Sequence, residues 1–248
     1  MTQFLLAFQF LSLFPVRVSK TVGEKDLAGS MRYYPLIGAI LGGASALLLK
    51  AALWWFSPTI AVVCAVVGLI IFSGALHLEG FADMCDGFGG PHDRQRILAI
   101  MKDSRSGPMA IIGIFCLLTL KIAFLSNMEP SRAMLALVLA PAIGRWSMVW
   151  LCASSTYARP EGGTASAYIG HVDRRTFLTA TGFCAVIAIL LMGPGGIAAM
   201  AGAVAGTWAF RRYVEKRIGG MTGDTLGACS ESMEVLTLAL LSLRWWGS

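Results

Sequence analysis

Pro58-Thr-Ile-Ala-Val-Val-Cys-Ala-Val-Val-Gly-Leu-Ile-Ile-Phe-Ser-Gly-Ala-Leu-His77 runs for 20 residues without an Asp, Glu, Lys or Arg. A helix needs about 20 predominantly apolar residues to cross the hydrocarbon core of a bilayer, and this stretch meets that length. Further apolar runs lie at Tyr34–Phe56, Pro108–Ser126, Arg132–Ala153, Thr176–Gly193, Gly195–Val214 and Met233–Trp246. The expectation is an all-α, polytopic transmembrane bundle of about six to seven spans, forming one integral-membrane domain over residues 1–248. Phe4–Val16 is too short to span and is expected to lie at the interface or to re-enter. Composition agrees. The chain has 248 residues, 56% hydrophobic and 14% charged, against about 25% charged in soluble domains. No basic n-region or A-x-A-like site marks a cleavable signal peptide.

Charge then orients the spans. The segments holding Arg17, Lys20, Lys25 and Arg32, then Arg94, Arg96, Lys102 and Arg105, then Arg159, Arg174 and Arg175, then Arg211, Arg212, Lys216 and Arg217 carry 15 of the 20 basic residues. The alternate connections are short and nearly free of positive charge, so the positive-inside rule places the long loops in the cytoplasm. The formal charge of +6 follows from these topology-setting residues and needs no nucleic-acid partner. Trp54, Trp55, Trp245 and Trp246 then form an outer aromatic belt, and Lys50 and Lys121 snorkel at outer helix ends. Twelve of the 14 carboxylates fall on the cytoplasmic side, with His77, His92 and His171. Chemistry is expected on that face.

Directly after the opening stretch comes His77-Leu-Glu79-Gly-Phe-Ala-Asp83-Met-Cys-Asp86-Gly87-Phe-Gly-Gly. If the second helix continues through it, Glu79, Asp83 and Asp86 stand at i, i+4 and i+7 on one face. Stacked like charges destabilise a bare helix, whereas a cation bound among them offsets the repulsion. All-oxygen ligands suit Mg²⁺ or Mn²⁺. Cys85 is a poor candidate among hard donors, and the six cysteines, none in C-x-x-C spacing, point to neither zinc nor disulfides.

Two later segments supply other groups. In Met101-Lys102-Asp103-Ser104-Arg105, Asp103 is a candidate ligand or base, while Lys102, Ser104 and Arg105 are candidates for phosphate oxygens; topology determinants are the bland alternative. In Gly219-Gly220-Met-Thr222-Gly223-Asp224-Thr225-Leu-Gly227, closely spaced glycines beside Gly220, Thr222 and Thr225 resemble a loop entering a helix, where backbone N–H groups face an anion. Asp224 is either part of that half-site or simply an N-cap. Arg145, inside an apolar run, needs a partner, with Asp103 or the acidic helix as candidates. The turn-rich loop from Ala158 to Ala165 is a candidate lid.

Together these motifs resemble the cobalamin synthase family, also called adenosylcobinamide-GDP ribazoletransferase. The matching pieces are Phe14-Pro15-Val16, the His77 to Gly87 segment, Met101 to Arg105, Arg159-Pro-Glu-Gly162 and Gly220 to Ala228. The family often has Asp where this chain has Glu79. The resemblance implies a Mg²⁺-dependent enzyme of the bacterial inner membrane. It would join α-ribazole or its 5′-phosphate to adenosylcobinamide-GDP and release GMP. Asp83 would be central to the metal site, and the base would be Asp103, Asp224 or His77. A homo-oligomer is allowed. By residues alone the inference stops at metal-assisted phosphoryl transfer. The rivals are a CDP-alcohol phosphotransferase, whose signature matches through Asp83-Met-Cys-Asp86-Gly87 and then fails, and a cation-coupled transporter, which would place acidic groups at the bilayer midplane between repeats.

Overall fold

A computed structural model describes residues 2–16, 18, 22–91, 93–103 and 105–243. Ser104, Arg17, Lys20, His92, Trp245 and Trp246 lie outside the described residues. The described chain is helical: α1 (Thr2–Leu11), α2 (Glu24–Ser30), α3 (Tyr34–Ala52), α4 (Pro58–Phe72), α5 (Leu76–Phe88), α6 (Arg94–Ile100), α7 (Pro108–Ser126), α8 (Pro130–Ser154), α9 (Arg174–Ile218) and α10 (Gly223–Leu241). Among the described residues the extended pairing is one isolated bridge between Tyr157 and Met221.

Four helical runs are long and apolar enough to cross a membrane: Glu24–Ala52, Pro108–Ser126, Pro130–Ser154 and Arg174–Ile218. The bent pair α4–α5 makes a fifth if it is one span. The last run doubles back. At Gly193 the backbone leaves the helix (φ 51°, ψ −125°), and Pro194 lacks an amide donor. Cys184 Sγ lies 3.8 Å from Met200 Sδ, a separation of about 24 Å in a straight helix. Gly196 packs on the Ala188 carbonyl with no room for a Cβ. The two arms expected at Thr176–Gly193 and Gly195–Val214 therefore form a tight antiparallel hairpin.

Two expected boundaries are corrected. The helix from Pro58 does not run on through His77. It stops at Phe72, where Gly74 and Ala75 are left-handed (φ 64° and 55°). Ala75 N–H donates to Ile70 O at 2.9 Å and Gly74 N–H to Ile71 O at 3.0 Å, the paired bonds of a Schellman stop. The chain restarts as α5 at 92° to α4. Thirteen residues with three carboxylates are too short and too acidic to cross alone, so α5 lies outside the membrane-crossing helices. The final helix begins ten residues before the expected Met233. Thr222 caps it and exchanges bonds with Thr225 in a capping box. With Asp224, Glu231 and Glu234, α10 is not an apolar span; it is enclosed by α8, α5, α9 and α7.

At the centre, α8 packs chiefly against α3 and α10. Gly38 and Gly42 on α3 meet the backbone of Pro141 and Leu137 so closely that no Cβ fits at either, the small-xxx-small contact of membrane helices. Outward faces are apolar and exposed, as at Leu47, Ile111, Phe115 and Leu190, which suits lipid. The long connections share one end: Arg32 donates to Thr176 Oγ1 at 3.2 Å, Arg94 to Ala158 O at 3.0 Å and Arg217 to Gly90 O at 2.9 Å. Exposed Trp54 and Trp55 follow α3 at the opposite end, where Leu53, Pro58, Ser126 and Pro130 line a common crevice.

Buried charges cross-brace the interior. Lys121 Nζ lies 2.5 Å from Glu231 Oε2 and 2.6 Å from Glu234 Oε2, and Arg145 donates to Glu234 Oε1. Lys121 therefore does not snorkel, and the partner of Arg145 is Glu234 rather than Asp103 or the acidic helix. The pairs tie α7, α8 and α10 together. Removing one member strands a buried charge, a loss of roughly 3–5 kcal/mol. Glu234→Ala is accordingly expected to lower the thermal midpoint sharply in detergent, and an unchanged midpoint would show that this cluster does not brace the bundle.

Candidate active site

The site begins with a close helix contact. On α5, His77, Gly80 and Met84 face inward. A Cβ on Gly80 would lie 2.8 Å from Asp224 Cα, and one on Gly227 would lie 3.0 Å from His77 O. Only paired glycines allow α5 and the first turns of α10 to approach so nearly. The result sets Asp224 beside the acidic face of α5.

Electrostatics register that gathering. Asp83 is pushed from 3.8 up to about 6, first by burial and then by the charges of Asp224, Glu79 and Asp86, with Arg159 opposing. Burial also raises Asp224, against Arg159, whose Nη2 donates to Asp224 Oδ2 at 2.8 Å. Arg159 enters from the loop after α8, held in place where Ala158 N–H donates to Met221 O at 2.8 Å. As a lone loop arginine it reads as a topology residue, and only the fold pairs it with Asp224.

The other candidates are placed differently. Asp86 accepts from Gly107 N–H at 2.5 Å and Ala110 N–H at 2.8 Å, so both its oxygens cap the N-terminus of α7. Asp103 is exposed and bonded to Arg105 at 2.7 Å, which holds its carboxyl down to about 2; that makes it a weak base. Lys102 lies 3.8 Å from Glu161, both exposed. Thr222 and Thr225 are fully buried and satisfy each other in the capping box. The N-cap of α10 is Thr222 rather than Asp224. Gly220 lies tight against Thr156 O, so it serves packing. Cys85 is pushed up to about 11 by burial and stays a thiol. His77 is 2% exposed and neither ring nitrogen has a partner.

Two kinds of space flank Glu79 and Asp83. On one side is a cavity of about 290 Å³ that includes Glu79, Asp83, Asp224 and His77. On the other is an open groove of about 390 Å³ shared by Glu79, Asp83, Lys102 and Asp103. It continues into a space of about 500 Å³ with Asp86, Arg96, Asp103 and Arg105. Among the described residues no three His, Cys, Asp or Glu converge as a ready metal cage. Mg²⁺ characteristically takes only one or two carboxylates and completes its shell with water and phosphate. Crowded carboxylates with one opposing arginine fit that demand, with Asp86 withdrawn from the set.

The match that decides the family runs over residues 3–242, on the model for cobalamin-5-phosphate synthase. The chain belongs to that family. Its curated relatives include the adenosylcobinamide-GDP ribazoletransferase of Syntrophobacter fumaroxidans, 39% identical with 94% of this chain and 95% of the relative covered. Those of Clostridium novyi and Pseudomonas syringae are 33% and 38% identical, covering 100% and 97% of this chain and 99% and 100% of the relatives. No solved structure gives a significant match. Membership in the cobalamin-5-phosphate synthase family sets aside the CDP-alcohol phosphotransferase and transporter alternatives.

The raised carboxyl has a measurable consequence. Between 3.8 and about 6 the folded chain holds a proton on Asp83 that the unfolded chain has released. Stability therefore falls as pH rises through that window and is level above it. In metal-free buffer, Asp83→Asn should unfold at a higher temperature than the parent at pH 7.5, with the two converging toward pH 4. A variant less stable than the parent at pH 7.5 would show that Asp83 is not under charge strain.

Proposed function

We propose that this chain is an adenosylcobinamide-GDP ribazoletransferase. It joins α-ribazole, or its 5′-phosphate, to adenosylcobinamide-GDP with release of GMP. Family membership and the names of the relatives support the reaction. The observation carrying the mechanism is that Glu79 and Asp83 border both the aromatic cavity and the groove that holds Lys102. Acceptor and donor can therefore reach the same carboxylates from opposite sides.

Each residue then has a task. Asp224 borders the cavity but not the groove, and burial holds its carboxyl above the usual range, which suits a general base. It takes the proton of the ribazole hydroxyl as the oxygen attacks the phosphorus bearing cobinamide. The P–O bond to GMP breaks and GMP departs. Arg159 orients Asp224 through their 2.8 Å contact. Lys102, Arg96 and Arg105, along the groove, hold the pyrophosphate and the leaving phosphate. Glu79 and Asp83 would hold Mg²⁺, which when bound supplies neutralising charge at the pyrophosphate. Asp86 keeps α7 and the Asp103 loop in register.

Placement in the bacterial inner membrane follows the same reading. The basic loops share one end with the acidic helix, so the positive-inside rule turns the site to the cytoplasm, where nucleotide substrates are. Six crossings are α3, α4, α7, α8 and the two arms of α9, with α5 turned aside at the end of α4 and α10 enclosed among them.

Reconstituted in liposomes with adenosylcobinamide-GDP, α-ribazole and Mg²⁺, the protein should release GMP and corrinoid product in equal amounts. No GMP, with a curated relative active in parallel, would overturn the assignment. Asp224→Asn should lower kcat by about 10²–10⁴-fold without loss of folding. Chelation should abolish turnover and added Mg²⁺ restore it; turnover persisting in chelator would remove the metal from the mechanism.

A further inference from the structure

The cavity beside the acidic helix has a composition that the transfer chemistry does not require. Its walls are aromatic and aliphatic: Phe10, Tyr34 and Tyr168 on one side, Met148 and Leu226 on the other. Phe10 stacks with Tyr34 at 6.2 Å between centroids and meets Tyr168 at 5.4 Å. His77 borders this space, buried, with Nδ1 and Nε2 both unpartnered, as is the Tyr34 hydroxyl. A buried polar group without a partner costs about 1–3 kcal/mol, so the imidazole is a donor awaiting an acceptor. Glu79, Asp83 and Asp224 stand at the cavity's polar margin.

We propose that this cavity seats the benzimidazole ring of α-ribazole, with its free ring nitrogen accepting a hydrogen bond from His77. The inference rests on the ribazoletransferase reading and names the acceptor's subsite within it. A flat bicycle whose one unsubstituted nitrogen is its only free hydrogen-bonding atom matches aromatic and aliphatic walls bordered by an unpartnered imidazole. A corrin is far larger than about 290 Å³, whereas that volume stands near the lower bound of small-ligand pockets, about 300 Å³. With the ring in the cavity, the attached ribose points to the acidic margin, where Asp224 meets its hydroxyl. The turn over Thr164–Ala167 contributes Thr164 and Ala165 to the lining and closes the slot.

Two readouts test this on the full chain in liposomes: α-ribazole binding without donor by equilibrium dialysis, and KM for each substrate. Ala165→Phe fills the slot from a partly exposed turn and should weaken α-ribazole binding and raise its KM at least about tenfold, leaving the KM for adenosylcobinamide-GDP within about twofold. Thr164→Phe gives the same test if that variant fails to insert. His77→Leu should weaken α-ribazole binding about five- to tenfold, the scale of one hydrogen bond. It should cause no loss for an analogue with carbon in place of the free nitrogen. A rise confined to the KM of adenosylcobinamide-GDP, or no change in either KM, overturns the proposal; so does an equal loss for the carbon analogue. If the parent protein releases no GMP, the transferase reading fails, and dialysis still decides the cavity.

Discussion

Everything at the acidic centre depends on how closely α5 can lie against α10. Gly80 and Gly227 remove the side chains that would hold the two backbones apart, and Asp224 thereby enters the field of Glu79 and Asp83. A larger residue at either glycine would separate the carboxylates by ångströms, and Coulomb coupling weakens with distance. The Schellman stop at Gly74 and Ala75 serves the same end, because it turns α5 away from α4 and onto α10. Two backbone features thus assemble a charge cluster that no single helix contains.

The molecule keeps two populations of charge apart. Lys121, Arg145, Glu231 and Glu234 are paired within the bundle, where unpaired ions are most costly, and they brace three helices. Glu79, Asp83 and Asp224 are opposed only in part, by Arg159, and border space that solutes can enter. Full neutralisation marks the structural set, and residual negative charge marks the set suited to a cation and a pyrophosphate. Asp86 belongs to a third kind, a carboxylate whose oxygens are engaged by the α7 amides.

Much of this was legible in the chain itself. Apolar runs of span length announced the helices because lipid offers the backbone no hydrogen-bond partners. The i, i+4, i+7 spacing of Glu79, Asp83 and Asp86 placed them together on α5 despite the break before it. Ser73-Gly74-Ala75 did contain a stop signal, hidden by its apolar flanks. Other errors came from residues whose neighbours are distant in sequence. Lys121 meets Glu231 110 positions later, Arg159 meets Asp224 65 positions later, and Asp86 meets the amides of the next helix. Thr222 and Thr225 form a capping box, which uses the same residue types as an anion-binding turn, so their spacing alone does not distinguish the two.

By itself, the sequence determined that the protein is an all-helical chain of the cobalamin-5-phosphate synthase family, with several apolar helices of span length and an acidic cluster between two of them, since those properties reside in composition, local spacing and motif. Only the tertiary structure decided which acids face one another, which are tied up as caps, and that an aromatic cavity with an unpartnered His77 adjoins them. Those outcomes depend on contacts between helices far apart in the chain, where one glycine's missing Cβ sets the distance.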